Sequence, residues 1–310
     1  GLSLTSSNSA CIIATNSLTS AFSYADNASN VTIDSNTLIG GYYGVRLNGI
    51  SSTIKNTGNK ITNNTIEDVY LYSIYNYYQS NLLVNNNDIS RPNRTSITTF
   101  YGVYANYSNE VIISNNKIHD AGNTFYTTYP IYLGYSLNTL GSETYIVNNA
   151  IYDMNTKGTF YGIYLYSFSS TTGKNKNINI WHNTITKSTD GGSGTTRGIS
   201  ANTTTATYYD SIDVTNNLVD IYGSGSGTKY AIYFPAMDTL TGSNNLFHMG
   251  ATAGNNTLAF FGSNQLTIAD WNLATGQTAN IDNNPIVVSP GYTPFSNLAD
   301  NLGTPLALVP

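Results

Sequence analysis

Five ionisable residues recur at one place in a repeated pattern. Asp68, Arg91, Asp120, Asp153 and Lys187 each stand four positions after an asparagine. If successive repeats stack as strands about 4.8 Å apart, Asp120 and Asp153 come close enough to share Ca²⁺ or to act as a paired carboxylate. Arg91 and Lys187 flank that pair, so a column of charge that neutralises itself is the favoured reading, ahead of calcium and catalysis. The three histidines form no metal-spaced set: His119 and His182 fall at different places near the repeated asparagine, and His248 follows the last clear repeat. Each reads as a surface or corner residue. "GGSGTTRG" at 191–198 lacks the Lys-Ser/Thr of a phosphate loop and precedes a strand, which makes it a turn extension.

A second set of residues could do chemistry without ionising. Pairs of a small and an apolar residue recur as Gly44-Val45, Ser73-Ile74, Gly102-Val103, Pro130-Ile131, Gly162-Ile163, Gly198-Ile199, Ala231-Ile232 and Ala259-Phe260. With the apolar member in the core, strand alternation points the next residue outward. That outer column reads Arg46, Tyr75, Tyr104, Tyr132, Tyr164, Ser200, Tyr233 and Phe261, and the parallel column two places on holds Asn48, Tyr77, Asn106, Gly134, Tyr166, Asn202, Pro235 and Ser263. The small column beside them is expected to leave the rings uncovered. The result is a flat Tyr and Asn face suited to stacking sugar rings or packing on another subunit. The same rings also strengthen a long parallel sheet.

The elements that position these columns are legible in an eight-residue pattern, "VIISNNKI", with apolar first, third and eighth places and asparagine sixth. It returns in "CIIATNSL", "VTIDSNTL", "NKITNNTI", "LLVNNNDI", "TYIVNNAI", "INIWHNTI", "IDVTNNLV" and "LTGSNNLF". The sixth places are Asn16, Asn36, Asn64, Asn87, Asn116, Asn149, Asn183, Asn217 and Asn245, separated by 20 to 34 residues. Strand alternation at that period predicts an all-β solenoid of about nine coils. Each asparagine is expected to sit at a corner and to bond its equivalents one coil up and one coil down, where asparagine also tolerates a left-handed backbone.

Over roughly residues 8 to 263 this pattern resembles the right-handed parallel β-helix repeat family. That family includes pectate lyases, other polysaccharide lyases, glycoside hydrolases, tailspike-like proteins and bacterial surface proteins. The resemblance implies right-handed coils, in keeping with the rule for parallel crossovers, and it specifies a fold far more than an activity. From residue 263 the rhythm changes, and Trp271, Thr275, Gly276, Pro285 and Pro305 resemble the C-terminal part of secreted or cell-surface β-helix proteins of the Bacteroidetes. Residues 1–262 are therefore expected to form the β-helix and 263–310 a wrapping segment that covers its last edge, with a continuation past Pro310.

Composition narrows the partners. Charged residues make up 9% of the chain, against roughly 25% in ordinary soluble domains. With 12 Lys and Arg against 17 Asp and Glu, no basic stripe exists for nucleic acid or anionic lipid. No run of about 18 apolar residues suggests membrane insertion, and the single Cys11 excludes an internal disulfide. A neutral Asn/Thr/Tyr-rich β protein points to a secreted or cell-surface location. The expected function is structural or adhesive, with a polysaccharide, another surface glycan or copies of the chain itself as partners and with no cofactor required. The enzymatic alternative is a polysaccharide lyase or glycoside hydrolase working in a groove on the Tyr face, which offers only Arg46 as a base.

Overall fold

A computed structural model of the chain describes residues 5–17, 28–122, 125–168, 173–285, 287–288 and 291–294. Among the described residues, short strands stack into three long sheets of 10, 9 and 8 strands, the coils contributing to them in the same order. The first sheet contains Tyr43–Asn48, Tyr72–Tyr77, Phe100–Asn106, Thr128–Gly134, Phe160–Tyr166, Thr196–Ala201, Thr228–Phe234 and Asn255–Phe261. Strands such as Lys60–Thr62 and Asn109–Ser114 build the second, and strands such as Thr65–Glu67 and Lys117–His119 the third. Neighbouring coils pair in parallel, giving a right-handed parallel β-helix. Its bore is filled by columns of one residue per coil, such as Val45, Ile74, Val103, Ile131, Ile163, Ile199 and Ile232, all 0% exposed.

The corner between the second and third sheets explains the asparagine pairs. The residue before each ladder asparagine takes the left-handed conformation: Ser35, Asn63, Asn86, Asn115, Asn148, His182, Asn216, Asn244 and Ala279 have φ between 55° and 59°. Asparagine tolerates that region better than most residues with a Cβ. The second asparagine then bonds along the axis. Its Nδ2 donates to the next Oδ1 from Asn36 through Asn64, Asn87, Asn116, Asn149, Asn183, Asn217 and Asn245 to Asn280, at 2.9–3.0 Å. The backbone N–H of the same residue donates to that same oxygen, and the remaining Nδ2 hydrogen reaches backbone carbonyls, as from Asn149 to Ile113 at 2.9 Å. Every polar atom of the corner amide is thereby satisfied inside the protein.

Asn16 is not part of this ladder. The strand Ala10–Ala14 pairs with Tyr43–Asn48 of the first sheet, with Ile12 opposite Val45, and Asn16 is exposed. Cys11-Ile12 occupies the position of a small-apolar pair, and that pair followed by an apolar alternation looks the same in both kinds of strand. The ladder instead extends at its other end to Asn280, which accepts from Asn245.

Beyond the last parallel strand, Ser263–Gln265 turns back antiparallel on Asn255–Phe261. A helix follows, Ile268–Thr275, started by a reciprocal cap between Thr267 and Asp270 and stopped by Gly276 in the left-handed conformation at φ 69°. Trp271 is fully buried, edge-on to Phe247 and Phe261, and its Nε1 donates to Gln277. Trp271, Thr275 and Gly276 thus belong to one helix and its stop, packed on the final coil through Trp271, while residues 295–310 of the expected wrapping segment, Pro305 among them, lie outside the described residues. No helix among the described residues is long and apolar enough to cross a membrane.

Replacing Asn149 by alanine strips the acceptor from two buried donors of Asn116. With an unpaired buried donor costing about 1–3 kcal/mol, the loss is expected to reach at least about 2 kcal/mol in chemical denaturation. Asn16→Ala is expected to stay within about 0.5 kcal/mol. Equal losses at the two sites would contradict the ladder's role.

Candidate functional site: an aromatic face and a charged edge

Strict alternation fails at the small-apolar pair of the first sheet, because both members point inward. A Cβ on Gly44 would lie 2.5 Å from the Ser73 carbonyl and 2.7 Å from Ile66 Cγ2, and one on Gly198 would lie 2.4 Å from the Ala231 carbonyl and 2.3 Å from Val219 Cγ1. The small column is therefore a packing requirement of the bore and does not flank the rings outside. This doubled inward step also turns outward a column that alternation hides. Tyr43, Tyr72, Tyr101, Tyr129, Tyr161, Arg197 and Tyr230 run along the axis beside the expected one. The expected column holds Arg46, Tyr75, Tyr104, Tyr132, Tyr164, Ser200 and Tyr233, and it ends on Phe260 in place of Phe261, since Ile232 pairs with Ala259. The third outward column includes Tyr77 and Tyr166 as expected.

The rings form a herringbone. Within a column they stack, Tyr72 on Tyr101 at 4.6 Å and 18°, Tyr101 on Tyr129 at 4.8 Å and 8°, Tyr75 on Tyr104 at 5.0 Å and 6°. Between columns they meet edge-on, as Tyr101 and Tyr104 do at 87° and Tyr129 and Tyr132 at 82°. Both arrangements suit the ring quadrupole, and each pair is worth about 0.5–1.5 kcal/mol beyond its burial. Most rings are half-buried; Tyr132 is 9% exposed. Burial raises the phenol pKa values of Tyr72, Tyr101, Tyr104, Tyr132 and Tyr164, that of Tyr101 to about 12, so these phenols are neutral at physiological pH. Two arginines lie in it: Arg46 Cζ is 5.2 Å from both the Tyr43 and Tyr75 rings, and Arg197 Cζ is 3.5 Å from Tyr233. Among the described residues the three outward columns hold no carboxylate.

The charged column takes its expected register on the third sheet but not a common direction. Arg91 turns fully into the protein, where its Nε and Nη2 donate to the Ala121 carbonyl at 2.8 and 2.6 Å and its Nη1 to Tyr70 at 3.1 Å. Burial lowers its pKa to about 10. Lys187 also points inward and donates to the carbonyls of Thr156, at 3.0 Å, and Ser188. Both cations tie loops of neighbouring coils together through backbone oxygens, and neither forms an ion pair with an aspartate among the described residues. Asp120 and Asp153, which follow the paired His119 and Tyr152, occupy neighbouring coils, and Asp120 directs Oδ2 to His119. No group of three or more metal-type ligands occurs among the described residues.

His119 is clamped instead. Its Nε2 meets Asp88 Oδ1 and its Nδ1 meets Asp120 Oδ2, each at 2.8 Å, and its ring stacks on Tyr152 at 4.9 Å. Asp88 stands one coil away at a non-equivalent register position, so repeat spacing gives no sign of it. A related arrangement on the same sheet joins His248 to Asp282 at 3.1 Å. Next to it, burial raises the Asp220 pKa to about 6 against the pull of His248. His182 is the left-handed corner residue of its coil.

Comparison with protein-family models, curated proteins and solved structures found no match to this chain.

The clamp gives a pH dependence of known sign. Burial pulls the His119 pKa down, but its two carboxylate bonds more than offset this and the pKa is raised. Its stabilisation is fully present below the unfolded value of about 6.5 and lost as pH rises through the folded value. The His119 bond lowers the Asp88 pKa against burial, so that contribution is present above about 3.9 and lost as pH falls through the folded value. His119→Gln is expected to lose most relative to the native chain between about pH 4 and 6.5, with the gap narrowing above neutrality. A gap independent of pH in denaturation experiments would remove the proton-linked role.

Proposed function

We propose that this chain is a non-catalytic, secreted or cell-surface rod that binds polysaccharide through the aromatic face of its first sheet and so serves in adhesion. The observation that carries this reading is the herringbone of tyrosines in parallel outward columns, presented at strand spacing along a rigid axis. A sugar ring offers aromatic rings its C–H face, and neighbouring phenols and amides supply hydrogen bonds, as Asn106 already does to Tyr104 at 2.7 Å. Extended chains suit a flat row better than a closed pocket does. The low charge of the chain accords with a neutral polar exterior, and the lack of a carboxylate in the outward columns favours binding over a lyase or hydrolase reaction there.

Glycan-array binding, followed by affinity electrophoresis in gels containing the polysaccharides that score, tests this. Tyr104→Ala is expected to weaken retention at least tenfold, while Tyr104→Phe, which keeps the ring, retains most of it. Unchanged folding of both variants is checked by circular dichroism. Absence of binding to every glycan, together with concentration-dependent self-association abolished by Tyr104→Ala, would assign the face to contacts between copies of the chain.

A further inference from the structure

A second site stands at a different corner, where the third sheet hands the chain back to the first. Here a cavity of about 320 Å³ is lined by Met154, Asn155, Thr156, Lys157, Lys187, Ser188 and Asp190. That volume lies at the lower end of the roughly 300–1,000 Å³ typical of small-molecule sites. Lys187 is only 2% exposed, yet it makes no ion pair among the described residues. Its ammonium donates to the Thr156 and Ser188 carbonyls and lies 5.9 Å from the centre of the Phe160 ring. A buried ammonium in that condition has no carboxylate within ion-pair distance among the described residues. Its desolvation is visible in a pKa lowered to about 8, with Asp190 offsetting part of the effect.

The Gly-rich segment builds the rest of the corner. Ser193 and Gly194 donate their N–H groups to the Lys157 carbonyl, and a Cβ on Gly194 would come within 2.1 Å of the Gly158 backbone. Only glycine permits so close an approach of two coils, and the approach fixes the backbone of Lys157. The Lys157 stem passes over Gly191, and its Nζ is 5.8 Å from the Phe125 ring. Asp190 is the one carboxylate in the lining, and three donors already hold it: the Ser224 N–H and hydroxyl on Oδ1, at 2.7 and 2.8 Å, and the Ser188 hydroxyl on Oδ2, at 3.0 Å. Two ammonium groups against one such carboxylate leave the cavity with one excess positive charge.

We infer that this cavity binds an oxyanion, a sulfate, phosphate or carboxylate group, between Lys157 and the buried Lys187. The group arrives either free or as a substituent on a saccharide, and the site does not depend on the aromatic face for its argument.

Isothermal titration of the native chain with inorganic phosphate, inorganic sulfate, galactose 6-sulfate and galactose, at fixed ionic strength in chloride, tests it. Saturable binding of at least one oxyanion, and none of galactose, is expected. Lys157→Gln, a change at a half-exposed position, is expected to weaken that binding at least tenfold, and Lys187→Met to abolish it. Tyr104→Ala is expected to leave it unchanged, which separates this site from the glycan-binding face. Tighter binding of galactose 6-sulfate than of the inorganic ions supports the saccharide source, and the reverse order supports a free anion. No saturable binding of any oxyanion, or equal affinity in native chain and Lys157→Gln, overturns the assignment.

Discussion

The asparagine corner is the constraint on which the rest of the molecule depends. A solenoid must place equivalent residues over one another, and hydrogen bonds between backbones alone allow a strand to slip by two residues without losing its alternation. An amide that bonds its equivalent in the next coil through both Nδ2 and the backbone N–H, as Asn116 does to Asn149, removes that freedom. Once the corner is in register, the inward columns on either side fall into line, and the loops elsewhere are free to differ in length. Neighbouring ladder positions are 23 residues apart between Asn64 and Asn87 and 34 between Asn149 and Asn183, with the same corner geometry.

The outward chemistry follows from how the first sheet fits around the bore. Because Gly44, Gly102, Gly162 and Gly198 must face inward beside their apolar neighbours, each of those strands presents residues outward at uneven intervals. Tyrosine fills most of those places, and the rings on either side of the doubled inward step meet edge to face. The same geometry that keeps the core closed therefore makes the outer surface broad. Where arginine or serine replaces tyrosine, at Arg197 and Ser200, the row is interrupted, and Arg197 lies over the Tyr233 ring.

Much of this is written openly in the sequence, and what is hidden has physical reasons. The nine-fold recurrence of asparagine with flanking apolar residues specifies a β-helix, because few other arrangements give one polar residue the same environment in every turn. Asn16 misleads since a small residue followed by apolar ones satisfies two different strands, and Asn280 escapes notice because Thr275, Gln277 and Asp282 stand where the pattern has its apolar first, third and eighth places. The column from Tyr43 to Tyr230 is lost to any reading that assumes perfect alternation. Arg91 and Lys187 occupy the expected register, but long flexible side chains can leave a column in either direction, and backbone carbonyls inside the corner drew them inward. The Asp88–His119 contact crosses between unequal register positions, which a spacing rule cannot represent.

The herringbone has an optical consequence. Phenol rings held 4.6 to 5.0 Å apart in fixed orientations couple their electronic transitions, so the near-ultraviolet signal of the face belongs to the row as a whole and not to separate chromophores. Excitation absorbed at one ring migrates along the row to others. A single ring lost from the middle changes the spectrum of its neighbours, and the alignment of coils becomes readable from light absorbed by the surface they support.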